Sequence, residues 1–179
     1  MDSDTHDGPP RALLIAAIVV AVGTLIGILV FAALRQPSTE QRPVAIVGIP
    51  APKADSPDCR TLVDALPEQL GDYRRAPAAE PAPAGAAAWQ QSPDSEAVIL
   101  RCGLDRPAEF VVGAPQQIVN AVAWFQVQDS DRSTWFAVDR PVYVALTLPQ
   151  GTGPTPIQEI SDTIAKVLPA KAPDPAPVR

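Results

Sequence analysis

Val142-Tyr143-Val144-Ala145-Leu146-Thr147-Leu148 alternates in steps of two, with Val142, Val144, Leu146 and Leu148 on one side and Tyr143, Ala145 and Thr147 on the other. That period belongs to a strand with one apolar face, and Pro141 marks its start. Upstream, Val119–Val127 repeats the pattern. It sets Val122, Trp124 and Gln126 against Ala121, Ala123, Phe125 and Val127. Asp129-Ser130-Asp131 predicts a turn, and Thr134–Asp139 a hairpin partner that brings Trp135 opposite Trp124. Further back, Ala97–Cys102 (AVILRC) is β-branched and apolar and stops at Gly103, and Phe110–Val112 predicts a short additional strand.

Helical signals flank these strands. Asp58 stands as an N-cap before Cys59–Leu66, whose Leu62, Val63 and Leu66 continue to Leu70 as one apolar face, and Pro67 closes it. Thr155, Pro156 and Gln158 read as cap, first helical position and returning member of a capping box. Ile157, Ile160, Ile164, Val167 and Leu168 line the buried side of that last helix, which ends at Pro169. Helix, antiparallel strands and helix define an α+β layer, a small antiparallel sheet with two helices on one face.

Prolines set the boundaries. The chain holds 22 in 179 residues, about 12% against a usual 5%. They crowd residues 37–57, 77–93 and 169–177. The expected organisation is a linker at 35–57, a folded domain at 58–168 with an internal Pro/Ala-rich loop at 76–93, and a disordered tail at 169–179.

Outside this domain lies Ala12–Leu34, ALLIAAIVVAVGTLIGILVFAAL, 23 residues without a charge. As a helix it would be roughly 35 Å long, enough for a hydrocarbon core of about 30 Å. The run exceeds a signal-peptide core, and Val30-Phe31-Ala32 is a poor cleavage site, so an uncleaved anchor is expected. Residues 1–11 then form a short cytoplasmic tail. Arg11 precedes the run while Arg35 and Arg42 follow it, a bias that taken alone favours a cytoplasmic domain. The short tail, the cysteine pair and the Pro/Ala-rich spacers favour the other side, and an extracytoplasmic domain is the expectation. Gly23 and Gly27 form a GxxxG, the expected helix–helix contact and the route to a homodimer, although the spacing is frequent by chance in apolar runs.

Cys59 and Cys102 are the only cysteines, both on the same side of the apolar run. They read as one disulfide in an oxidising compartment, or as two unrelated buried thiols. Closing a loop of about 44 residues is worth roughly 4 kcal/mol in the chain-entropy model.

The formal charge is −6, without the basic footprint of a nucleic-acid binder. The one histidine, His6, lies in the N-terminal tail, which removes histidine-dependent triads and histidine-ligated metal from the outer domain. No Walker loop or GxGxxG occurs, and Asp129 with Asp131 is ordinary turn chemistry. No catalytic residue, cofactor or metal ligand is therefore expected. Trp124, Trp135 and Arg140 remain, either as core and strand-end residues or as a docking or binding face.

The ordered set Cys59-xx-Leu62-xxx-Leu66-Pro67, Val98-Ile99-Leu100-Arg101-Cys102-Gly103, Val122-Ala123-Trp124, Trp135-xx-Val138-Asp139-Arg140-Pro141 and a closing strand ending at Pro149, behind an apolar segment, resembles an actinobacterial membrane-protein family, the domain of unknown function 3515. The resemblance implies an envelope location and supports the cysteine pairing. It carries no activity. The expected function is that of a non-enzymatic, single-pass envelope protein in contact with the bilayer, an accessory or interaction subunit that binds another membrane or cell-wall component. The alternative is a lipid- or glycan-binding module, which needs an apolar pocket near Trp124 and Trp135 rather than a solidly packed sheet–helix interface there.

Overall fold

The computed structural model describes residues 11–34 and 41–178, with side chains of the first helix from residue 14 to residue 28. Residues 1–10 of the tail expected at 1–11 and the linker start at 35–40 lie outside the described residues, and Arg11 already belongs to the first helix. The chain divides into two compact units, Met1–Ser38 and Thr39–Arg179. The first contains α1 (Arg11–Leu34), 24 residues long. Its apolar side chains from Leu14 to Ile28 are exposed, and Thr24, the one polar side chain in that stretch, donates to the carbonyls of Val20 and Ala21. Among the residues described with side chains, which in α1 run only from 14 to 28, no helix is long and apolar enough to cross a membrane.

The second unit is α+β. It contains α2 (Pro57–Ala65), eight strands and α3 (Thr155–Val167). The strands are β1 (Gln69–Leu70), β2 (Tyr73–Ala76), β3 (Ala86–Gln90), β4 (Val98–Leu104), β5 (Gln117–Val119), β6 (Val122–Gln128), β7 (Arg132–Ala137) and β8 (Tyr143–Pro149). Together they form one antiparallel sheet in the order β1-β2-β3-β4-β8-β7-β6-β5. Two four-stranded meanders thus meet where β4 pairs with β8, Leu100 opposite Leu146 and Cys102 opposite Val144. Their inner-face residues, Val98, Leu100 and Cys102 of β4 and Val144, Leu146 and Leu148 of β8, are all buried.

Both helices lie on one face. Cys59, Leu62 and Leu66 share a core with Ile157, Ile160 and Ile164, and that core takes in Trp89, Leu100, Trp124, Val144 and Leu146 from the sheet. The twisted sheet curls far enough for its two edge strands, β1 and β5, both to reach α3. Polar contacts fix the wrap at each edge. The Gly71 amide donates to Glu159 Oε2 at 3.3 Å, and Asn120 Nδ2 donates to Asp162 Oδ1 at 3.0 Å. Inside, Trp124 Nε1 donates to Ser161 Oγ at 2.9 Å, and Ser161 Oγ donates to the Ile157 carbonyl at 2.6 Å. Ser161→Ala is expected to leave the indole N–H buried without a partner, at about 2 kcal/mol. Urea unfolding of the full chain checks this, and an unchanged midpoint would refute it.

Several expectations need correction. The N-cap of α2 is Ser56, whose Oγ accepts from the Cys59 amide at 3.2 Å, so Asp58 sits inside the first turn. At α3 the helix already includes Thr155, and Pro154 holds the cap position without a side-chain bond, so no capping box forms. Phe110–Val112 is not a strand. Val111 makes a single bridge to Ala176.

The predicted strand Val119–Val127 is broken by a two-residue hairpin turn with positive φ at Asn120 (43°) and Ala121 (64°). Asn tolerates that conformation and Ala does not, so the turn is imposed from outside. Arg140 Nη2 donates to the Ala121 carbonyl at 2.7 Å and holds it.

The Pro/Ala-rich segments are also more ordered than their composition predicts. Residues 86–90 of the expected 76–93 loop are β3, paired on both sides. Linker residues Val44 and Ile46 are buried against Ala76 and Ala88. The expected disordered tail packs as well: the Lys171 amide donates to the Asp139 carbonyl, and the Ala176 amide to the Phe110 carbonyl.

Candidate functional site

The sheet face opposite the helices is covered by two segments and left open between them. On one side the linker lays Val44 and Ile46 over β2 and β3. On the other, Phe110 from the β4–β5 connection packs on Ala123, Phe125 and Val138, with its ring 5.3 Å from that of Phe125. Between these covers runs a groove of about 580 Å³, within the range usual for small-molecule sites.

Strand alternation decides what floors it. Ile99 and Arg101 of β4, Ala145 and Thr147 of β8, and Thr134 and Phe136 of β7 all point to this outer face. In register, Ile99 lies opposite Thr147, which lies opposite Thr134, and the two hydroxyls are 3.1 Å apart. Arg101 lies opposite Ala145, which lies opposite Phe136. Val127 extends the apolar floor onto β6, and Val47–Pro50 and Leu104–Glu109 form the walls.

Two guanidinium groups enter this largely apolar space. Arg101 is half-buried, and its Nη2 donates to the Val47 carbonyl at 3.3 Å. Its Nε is buried without a hydrogen-bond partner, and among the described residues Arg101 makes no ion pair. Burial, and after it the nearby Arg132 charge, hold the Arg101 guanidinium below its ordinary value. Arg132 is exposed and bonded through Nε and Nη2 to both carboxylate oxygens of Asp131. Asp105 and Glu109 stand on the wall beyond the end of β4, and neither pairs with Arg101.

The residues singled out from sequence lie elsewhere. Trp124 is fully buried in the sheet–helix core and has no surface to offer. Trp135 shares its face but sits diagonally, since Trp124 pairs with Ala137 and Gln126 pairs with Trp135. It is half-buried beside a smaller groove of about 320 Å³ near Ile157 and Leu148. Arg140 is also buried. It pairs with Asp139 at 2.9 Å and bonds the Asp139 and Ala121 carbonyls, so it serves the hairpin turn. Gly23 and Gly27 have open space around them on α1. Cys59 and Cys102 form the disulfide, joining α2 to the central strand β4. Among the described residues, no three His, Cys, Asp or Glu side chains gather as a metal site would need.

The groove draws on four strands and two connecting segments, so no local motif announces it. The one signal available was Arg101 itself, a charge inside the apolar run AVILRC.

These features define a class: a disulfide-bonded α+β domain with a curled eight-stranded antiparallel sheet and an amphipathic groove on its outer face. The family model described as Protein of unknown function (DUF3515) matches residues 18–173, and the chain belongs to that family. No curated protein and no solved structure matches it.

Proposed function

We propose that this is a single-pass, membrane-anchored binding module of the cell envelope, with its disulfide domain outside the membrane and an apolar ligand held in the outer groove. The anchor is supported by the length of α1, 24 residues or about 36 Å, and by the uncharged run from 12 to 34. An exposed helix that is apolar all round, with its single hydroxyl bonded to its own carbonyls, suits a lipid surrounding. The Cys59–Cys102 disulfide supports the extracytoplasmic side.

One observation carries the binding function: the apolar strip of β4, β8 and β7 that the two flanking segments leave open. A sheet face of this kind normally gains stability by being covered, and here the cover is missing over a ligand-sized volume. With no nucleophile–base pair assembled in the groove, binding is preferred to catalysis.

The full chain purified from native membranes in mild detergent is expected to retain a small apolar molecule detectable by mass spectrometry. Thr134→Trp, which fills the groove, should abolish that retention while leaving the circular dichroism unchanged. Wild-type protein free of any bound molecule, or equal retention by the filled variant, would overturn the assignment.

A further inference from the structure

We infer that the groove takes a phospholipid with an anionic head, its phosphate held by Arg101 with Arg132 and an acyl chain lying along Ile99, Thr134, Phe136 and Val127; this rests on the binding function proposed above and names its ligand.

Charge complementarity selects this occupant. Arg101 is a half-buried cation with an unmatched Nε donor and no carboxylate partner among the described residues, and a second cation stands near it. A half-buried, unpaired guanidinium carries a desolvation cost that an anion entering the groove would remove. The planar fork of guanidinium donors fits a phosphate, and the surrounding apolar floor fits a hydrocarbon chain rather than a sugar. The two arginines divide the work. Arg132 is already shared with Asp131, so it adds mainly charge, whereas Arg101 has donors to spare. A wholly apolar ligand would leave Arg101 unmatched, and an acidic peptide would have no use for the continuous apolar floor. The acidic residues Asp105 and Glu109 line the same groove beyond the end of β4, and their charge disfavours a second anion there.

The test is native mass spectrometry on the full chain in neutral detergent, offered phosphatidylglycerol or, as a lipid without phosphate, diacylglycerol with the same acyl chains. Wild type should carry phosphatidylglycerol at least about tenfold more than diacylglycerol, the size expected for charge-assisted hydrogen bonds. Arg101→Gln should reduce phosphatidylglycerol to the diacylglycerol level without changing the latter. Arg132→Gln, an exposed position that leaves folding intact, should reduce the preference partly.

Equal binding of both lipids by wild type, or an undiminished preference in Arg101→Gln, would overturn the inference. If both lipids bind equally and Thr134→Trp abolishes both, the groove stands as a binding site and only the phosphate assignment fails. If Thr134→Trp changes neither, the groove itself fails. A peptide recovered in place of lipid also rejects the proposal.

Discussion

Replacing Cys59 and Cys102 together with alanine is expected to lower the stability of the domain by about 4 kcal/mol. The two residues are 43 positions apart in sequence, and a cross-link of that span removes this much chain entropy from the unfolded state. For a domain near 140 residues the loss corresponds to a fall in Tm of about 10–20 °C. The location makes the effect global rather than local. Cys59 is in the first turn of α2 and Cys102 is in β4, the strand where the two meanders join, and both side chains are fully buried. Calorimetry of the double variant checks this, and wild type with a strong reductant should fall to the same Tm. A double variant within about 3 °C of wild type would refute the assignment. The thiol state in native membranes bears on topology too, because two free thiols there would place the domain on the reducing side.

Gly103→Ala is expected to cost about 2–6 kcal/mol, combining backbone strain of about 1–3 kcal/mol with overpacking of similar size. Gly103 has φ +88° and sits at the irregularity in the β4–β8 register between Cys102 and Leu104. A Cβ there would lie 2.3 Å from the Lys53 carbonyl carbon and the Ala54 nitrogen. Both are backbone, so they cannot rotate away. The Lys53 amide also donates to the Gly103 carbonyl at 3.0 Å, and moving that segment would break the bond. Gly113→Ala supplies the control. Gly113 has the same φ of +88° and nothing within 4 Å, so its replacement should cost only the strain, about 1–3 kcal/mol. Equal losses in the two variants would show that the close approach of residues 53–54 is not what requires glycine at 103.

Gly103 also shows why the linker was misread. Residues 41–57 look like a spacer because prolines interrupt every apolar run. In the fold Val44 and Ile46 pack on the sheet, and that placement selects the residues beneath them. Ala86, Ala87 and Ala88 resemble low-complexity spacer, yet Ala88 is buried under Val44 and Ile46, where a larger side chain would lift the linker away. A strand chosen for small volume has no hydrophobic alternation to detect, so β3 was invisible to periodicity. The hairpin at Asn120–Ala121 escaped for a related reason. Its backbone is held by Arg140 and by Asn120 reaching α3, contacts that are remote in sequence.

Where each face of a strand meets a different environment, the residues were readable one by one. The alternation read for β6 and β8 holds, with Val122 and Trp124 on one core-facing side and Val144, Leu146 and Leu148 on the other strand's, and Ile157, Ile160 and Ile164 of α3 face the core as expected. The groove was not readable in this way. Its floor consists of outer-face residues that look like ordinary alternates to a core strand, and its identity depends on which of them remain uncovered.

By itself, then, the sequence determined the α+β class, the apolar segment, the alternation of the central strands and the buried face of the last helix, and it favoured the pairing of the two cysteines. Each follows from periodicity or count, which act over a few neighbouring residues. Tertiary structure alone decided the strand order, the curl of the sheet around α3, the docking of linker and tail, and the open strip in which Arg101 meets no carboxylate among the described residues. Those depend on contacts between segments tens of residues apart, where steric fit and unsatisfied charge are set by what happens to lie on top.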